Sequence, residues 1–242
     1  MIEAQDLHKN YGRIAALRGV SFRAADGRIT GLLGPNGAGK STTLRILYAT
    51  LAADSGVARV DGNAVSAANP ALRRHIGVLP HNAGLYPALT AYENIEYFGR
   101  LAGMPGRAAR ARTDELVELL DLGDIAGRRA KGFSQGQKIR TALARALVHA
   151  QRNLILDEPT NGLDVPAVRK LRTLLQRLRD LGHCIVFSSH VMQEVATLCD
   201  DTVVIAAGCV VACGTPEALR EHTGAGSFED AFVALTGGEA QT

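Results

Sequence analysis

The chain has 242 residues, 46% of them hydrophobic and 21% charged, an ordinary balance for a globular protein. Its 27 Lys and Arg against 24 Asp and Glu leave a formal net charge of +3, which suits a membrane surface or a protein partner and is too small to argue for nucleic acid. These figures exclude a disordered chain, a collagen-like repeat and a coiled coil; at roughly 150 residues per domain they fit one α/β domain carrying an insertion.

The first thirty residues read as β-structure, with turns at Asn10-Tyr11-Gly12 and Asp26-Gly27. A short apolar strand, Ile29 to Leu33, leads through a glycine-rich loop into a helix from about Gly39 to Ala49. A strand around Val57 to Val60 ends at the Asp61-Gly62 turn. The longest uncharged stretch, His75 to Tyr92, holds Gly77, Pro80, Asn82, Gly84 and Pro87, so it is no spanning helix. With no signal peptide at Met1, the chain is expected to be soluble by itself. From Gly84 to Gly132 the pattern is helical, with Leu116, Leu119, Leu120 and Leu122 at helical spacing and Gly123 as the expected cap.

Strand–helix alternation returns after Gly132. Strands are expected at Asn153 to Leu156 and His183 to Phe187. Between them lies a helix capped by Asp164, with Pro166 in its first turn and a stripe of Val168, Leu171, Leu174, Leu175 and Leu178. Val203 to Cys213 reads as a hairpin turning at Ala207-Gly208, Gly224-Ala225-Gly226 as a flexible joint, and Phe228 to Leu235 as an amphipathic helix. The four cysteines, Cys184, Cys199, Cys209 and Cys213, lack zinc-site spacing and are expected to be buried reduced thiols.

Gly34-Pro35-Asn36-Gly37-Ala38-Gly39-Lys40-Ser41-Thr42 fits G-x-x-x-x-G-K-[ST] between a strand and a helix, the context that makes it a phosphate-binding loop. Its glycines let backbone N–H groups and the helix start face phosphate oxygens. Lys40 brings a mobile positive charge to the β- and γ-phosphates, and Ser41 offers a hydroxyl to Mg²⁺. Asn153 to Leu156 then ends in Asp157-Glu158, two acids at a strand terminus. Asp157 suits the metal shell and Glu158 suits polarising an attacking water. Ser134-x-x-Gln137 is a capping box, which starts a helix well whether or not it has another role.

With these residues in place, the chain from about residue 2 to 236 resembles the ATP-binding subunits of ABC transporters. Phe133-Ser134-Gln135-Gly136-Gln137 is similar to the family's L-S-G-G-Q signature. Asp157-Glu158-Pro159-Thr160, Asn161-Gly162-Leu163-Asp164 (its D-loop) and Ser188-Ser189-His190 (its switch histidine) follow in the family's order. The resemblance implies an α/β fold: a P-loop NTPase core of mainly parallel sheet with helices, an N-terminal antiparallel β-subdomain and an inserted α-helical subdomain. It implies core segments 1–83 and 133–220, the helical insert 84–132 and a C-terminal helical tail 221–242. It further implies that Tyr11 stacks on adenine and that His190 meets the γ-phosphate. Ser134, Gln135, Gly136 and Gln137 would serve the opposite protomer of a head-to-tail dimer, expected to be a homodimer enclosing two ATP.

Two positions depart from the family. Gln135 replaces the first signature glycine, and His81 stands where most members have a glutamine contacting Mg²⁺ and the attacking water. His81 can serve there only through the lone pair of its neutral form. Cys184 to Asp200 and Phe228 to Gly237 are most similar to export-type subunits for sodium and drugs. The resemblance thus implies ATP and Mg²⁺ as cofactors, a separate transmembrane permease as partner, no nucleic acid, and a peripheral place on the cytoplasmic face of the inner membrane. A soluble ABC-type ATPase acting on nucleic acid or ribosomes remains the alternative, and a P-loop kinase of a small metabolite a third reading.

Overall fold

Three short segments are buried along their whole length: β3 (Ile29–Leu33), β7 (Asn153–Asp157) and β8 (Cys184–Ser189). Strands hidden on both faces belong to a parallel sheet sandwiched between layers. The computed structural model, which describes residues 1–66, 69–82, 84–149 and 151–237, builds that sheet. It also contains β6 (Ile76–Leu79), β9 (Asp201–Ala206) and β10 (Cys209–Gly214), in the order β10-β9-β3-β8-β7-β6. All neighbours run parallel except β9 and β10, which form the hairpin expected at Ala207-Gly208. A second, antiparallel sheet, β2-β1-β4-β5, comprises β1 (Ile2–Tyr11), β2 (Ile14–Ala24), β4 (Ser55–Val60) and β5 (Asn63–Ala64).

Alternation along the central strands divides two cores. Ile29, Leu33, Leu154, Leu156, Ile185 and Phe187 pack on one face, with α2 (Ala91–Leu101), α4 (Gln135–Leu147), α5 (Val165–Asp180) and α6 (Met192–Leu198). Leu32, Ile155, Cys184 and Val186 pack on the other, with α1 (Lys40–Leu47) and the antiparallel sheet. Side chains two apart share a face, so Asp157 and Ser188 face α1, whereas Ser189 faces α6. On α5, Leu171, Leu175 and Leu178 are the buried stripe, each contributing roughly 1.5–3 kcal/mol of burial. Among the described residues the remaining α-helices are α3 (Gly106–Leu119), α7 (Pro216–Thr223) and α8 (Phe228–Leu235). Among the described residues no helix is long and apolar enough to cross a membrane.

Several expectations need correcting. Gly123 does not cap α3, because Asp121 takes the left-handed position at φ +51°. Its N–H donates to the Glu118 carbonyl and that of Leu122 to Val117, which closes the helix three residues after Leu119 at the latest. Gly224 is the left-handed cap of α7, held by hydrogen bonds from Gly224 and Ala225 to Glu221 and Arg220, rather than a loose joint. The tail expected from residue 221 starts inside α7, and its last residues, 238–242, lie outside the described residues, as does Ala83 at the expected edge of the helical insert. All four cysteines are free, but only Cys184 is buried, and Cys213 is exposed. Strand β6 and helices α6 and α7 were not expected as elements.

Candidate functional site

The phosphate loop joins β3 to α1 across the end of the parallel sheet. Gly39, at φ +107°, immediately precedes α1, and a Cβ there would lie 2.7 Å from Leu17 Cδ2 and 2.8 Å from the Ala16 carbonyl oxygen. Only glycine suits both the backbone angle and this approach of β2. Gly34 and Ala38 are buried, while Asn36 and Gly37 form the exposed tip and Ser41 and Thr42 are half-buried. The Lys40 ammonium donates to the carbonyls of Gly34 at 2.7 Å and Pro35 at 3.0 Å. Its burial holds it below the usual lysine value, against the opposing pull of Glu158 and Asp157.

Strand geometry brings the acids to this loop. Asp157 is buried and pairs in register with Ser188. One carboxylate oxygen, Asp157 Oδ1, accepts from Ser188 Oγ at 2.7 Å and from Ser41 Oγ at 3.2 Å. Ser188 Oγ also accepts from the Glu158 N–H at 3.0 Å. Glu158 sits at φ +49°, a left-handed conformation that costs on the order of 1–3 kcal/mol in a non-glycine residue and persists where surrounding contacts enforce it. Its carboxylate stands between two imidazoles: His190 Nδ1 is 3.2 Å from Oε1, and His81 Nδ1 is 3.6 Å from Oε2. Ser41, His81, Asp157 and Glu158 line one cavity of about 440 Å³.

Ser41 and Asp157 therefore offer a hydroxyl and a carboxylate on adjoining sides of that cavity. Such a sparse set of hard oxygens fits Mg²⁺, which keeps several waters and takes further oxygens from nucleotide phosphates.

The signature segment lies elsewhere. Ser134 caps α4, its hydroxyl accepting from the Gln137 N–H at 3.3 Å while Gln137 Oε1 accepts from the Ser134 N–H at 3.0 Å. Ser134, Gln135, Gly136 and Asp164 line a different cavity of about 370 Å³. Gln135 alone of the four signature residues also lines a cavity with Asp157 and Glu158. Asp164 caps α5 as expected, accepting from Ala167 N at 2.9 Å. Tyr11 stands half-exposed at the end of β1, from which β2 leads to the Ala16-Leu17 contact with the loop.

Sequence reasoning gave no role to Ser188, Thr160 or Glu194. Thr160 Oγ1 and Ser189 Oγ both donate to Glu194 Oε2, at 2.7 and 2.9 Å. The Ser188-Ser189 pair in an otherwise apolar buried strand was the available signal, because buried hydroxyls need partners.

The family model described as ABC transporter matches residues 17–161. The ABC transporter ATP-binding protein NatA of Bacillus subtilis is 40% identical over 209 residues, 86% of this chain and 85% of that protein. Nod factor export ATP-binding protein I of Paraburkholderia xenovorans is 42% identical over 221 residues, 90% of this chain and 72% of its own length. Among solved structures, a dimeric post-hydrolysis state of an ATP-binding cassette bound to ADP and Pi superposes with a TM-score of 0.79 at 26% identity, covering 89% of this chain and 98% of the other. The loop, the acidic strand end and these likenesses agree: the chain belongs to the ABC transporter family, as an ATP-binding and ATP-hydrolysing subunit.

Proposed function

We propose that the chain hydrolyses MgATP to drive a separate transmembrane permease, working peripherally at the cytoplasmic face of the cell membrane and in the direction of export. The export relative and the mild basic charge support this reading. The observation that carries the chemistry is the Glu158 carboxylate, set between His81 and His190 beside an Asp157 already joined to Ser41.

In this reading the backbone N–H groups of Gly34 to Gly39 and the start of α1 cradle the phosphates. Lys40 turns its ammonium from two loop carbonyls to phosphate oxygens, and Tyr11 covers the adenine. Ser41 and Asp157 hold Mg²⁺, which supplies neutralisation of phosphate charge when bound. Glu158 orients and polarises the attacking water, with His81 presenting a ring nitrogen beside it and His190 reaching the γ-phosphate.

The signature segment acts in trans, in a head-to-tail homodimer. A Cβ on Gly136 would meet Ala167 Cβ at 3.4 Å, an ordinary contact, and no strained backbone angle demands glycine there. The fold of the single chain leaves this residue unconstrained, so its smallness serves a group from outside, such as the phosphate chain held by a second copy.

Gel filtration of Glu158→Gln with and without MgATP tests the proposal. The variant is expected to run as a stable dimer only with MgATP, because binding survives while cleavage stops. A variant that stays monomeric, or that hydrolyses ATP at the wild-type rate, overturns the assignment. Co-pelleting with membranes that contain the permease tests the coupling.

A further inference from the structure

Glu194 touches none of the groups assigned to the nucleotide, yet its carboxylate joins the two segments that flank Glu158 and His190. Glu194 Oε2 accepts from Thr160 Oγ1 at 2.7 Å and from Ser189 Oγ at 2.9 Å. Thr160 lies two residues past Glu158, in the turn where Asn161 N donates to the Glu158 carbonyl at 3.1 Å. Ser189 directly precedes His190, is buried, and also accepts from Val191 N at 3.0 Å.

Alternation along β8 explains the arrangement. Ser188 points towards α1 and holds Asp157 and the Glu158 N–H, while Ser189 points to the opposite face, where α6 supplies Glu194. The two ends of the catalytic pair are thus fixed from both sides of the sheet. Hydroxyl bonds to a charged carboxylate are stronger than neutral ones, and both here converge on one oxygen.

From this geometry we propose that Glu194 is a positioning residue for ATP hydrolysis: it sets the spacing and aim of Glu158 and His190 by clamping the turn after one to the strand end before the other. The proposal rests on the reading of Glu158 and His190 given above. It requires Glu194 to act on turnover and leave nucleotide binding alone. Displacement of a reacting group by about 1 Å can cost on the order of a hundredfold in rate.

The test measures kcat, KM and equilibrium nucleotide affinity for Glu194→Ala, Glu194→Gln and Thr160→Val, beside Glu158→Gln as the reference for the underlying reading. Glu194→Ala is expected to lower kcat about tenfold or more with nucleotide affinity unchanged. Glu194→Gln keeps an amide oxygen with two lone pairs and is expected to recover most of the loss. Thr160→Val removes one of the two donors and should show the same kcat-selective fall, so the proposal stays testable if Glu194→Ala fails to fold. In the Glu194→Ala/Thr160→Val double variant the losses should fall short of additive, since both changes cut the same link. Wild-type kcat in both single variants, while Glu158→Gln has lost turnover, overturns the positioning role. So does a parallel loss of kcat, affinity and thermal stability that Gln does not rescue. Unimpaired turnover in Glu158→Gln would instead remove the reading beneath it.

Discussion

At the strand ends, Ser41, Asp157, Ser188 and the Glu158 N–H form a continuous run of hydrogen bonds within one chain. At the start of α4, the Ser134 and Gln137 side chains each accept from the other's backbone N–H, and Gly136 is left in loose contact with α5. The first region is organised by its own fold down to individual oxygens. The second is only a well-capped helix start, open on the side that faces a cavity. Damage to the first should therefore show in an isolated chain, and damage to the second, beyond the loss of the α4 cap, where two chains meet.

The largest effect should come from the first region. Glu158→Gln is expected to lower turnover about 10²- to 10⁴-fold with nucleotide affinity intact, whereas Lys40→Ala should lose affinity itself, as measured by equilibrium binding. Equal affinity in Lys40→Ala and wild type would show that the buried ammonium serves the loop and not the nucleotide.

The second region is tested by complementation between two inactive variants. Ser134→Arg and Lys40→Ala are each expected to be inactive alone, because every dimer then has two broken sites. Mixed in equal amounts they form dimers with one intact site, and ATPase activity should return to roughly a quarter of wild type if copies pair at random. No recovery at any ratio, with mixed dimers demonstrated, would place the signature segment in the same chain's site.

A smaller change tests the hydrogen-bond run itself. Ser188→Ala strands the Glu158 N–H and removes one donor from Asp157. Each buried group left without a partner costs about 1–3 kcal/mol, and at roughly 2–4 °C per kcal/mol for a chain of this size the melting temperature should fall by several degrees. Turnover should fall with it. An unchanged melting temperature would show that the run is dispensable.

The smallest effect concerns His149, just beyond α4. Burial pushes its imidazole down to about 4 from the ordinary value of 6.5. The unfolded chain therefore takes up the proton first as pH falls. Stability is fully present above about 6.5 and is lost progressively towards 4. His183 is shifted down too, chiefly by burial, and adds in the same direction. Because His149 is only partly buried, the loss should be modest. Melting curves at pH 7.5 and 5.5 should show a smaller fall for His149→Gln than for wild type, and equal falls would exclude His149 as a contributor.

Much of this was legible in the chain. The phosphate loop, the Asp157-Glu158 strand end, the Asp164 and Ser134 caps, the α5 stripe and the β9–β10 hairpin all have short-range causes: glycine at left-handed angles, a hydroxyl or carboxylate three residues before an N–H, apolar residues at helical spacing. Thr215-Pro216-Glu217 is an equally good local helix start, with Thr215 accepting from Ala218 N. Strand β6 was harder to find, because Ile76 to Leu79 is a brief apolar run inside a loop-rich stretch, and its pairing with β7 makes it a strand.

Which residues could meet a nucleotide follows from local order along the chain, since loop shape, helix caps and strand ends are set by neighbours a few positions away. Which of them touch depends on how the strands and helices pack. Sheet register placed Ser188 opposite Asp157, so that one hydroxyl holds both acids' segment, and the two-residue period sent Ser189 to the other face, where Glu194 waits on α6. It also set His81 and His190 on opposite oxygens of Glu158. Apart from Ser189 and Glu194, which lie five residues apart, these pairings join residues 30 or more positions apart in the chain, and no local spacing encodes them. They follow from how strands align and which faces the two hydrophobic cores bury.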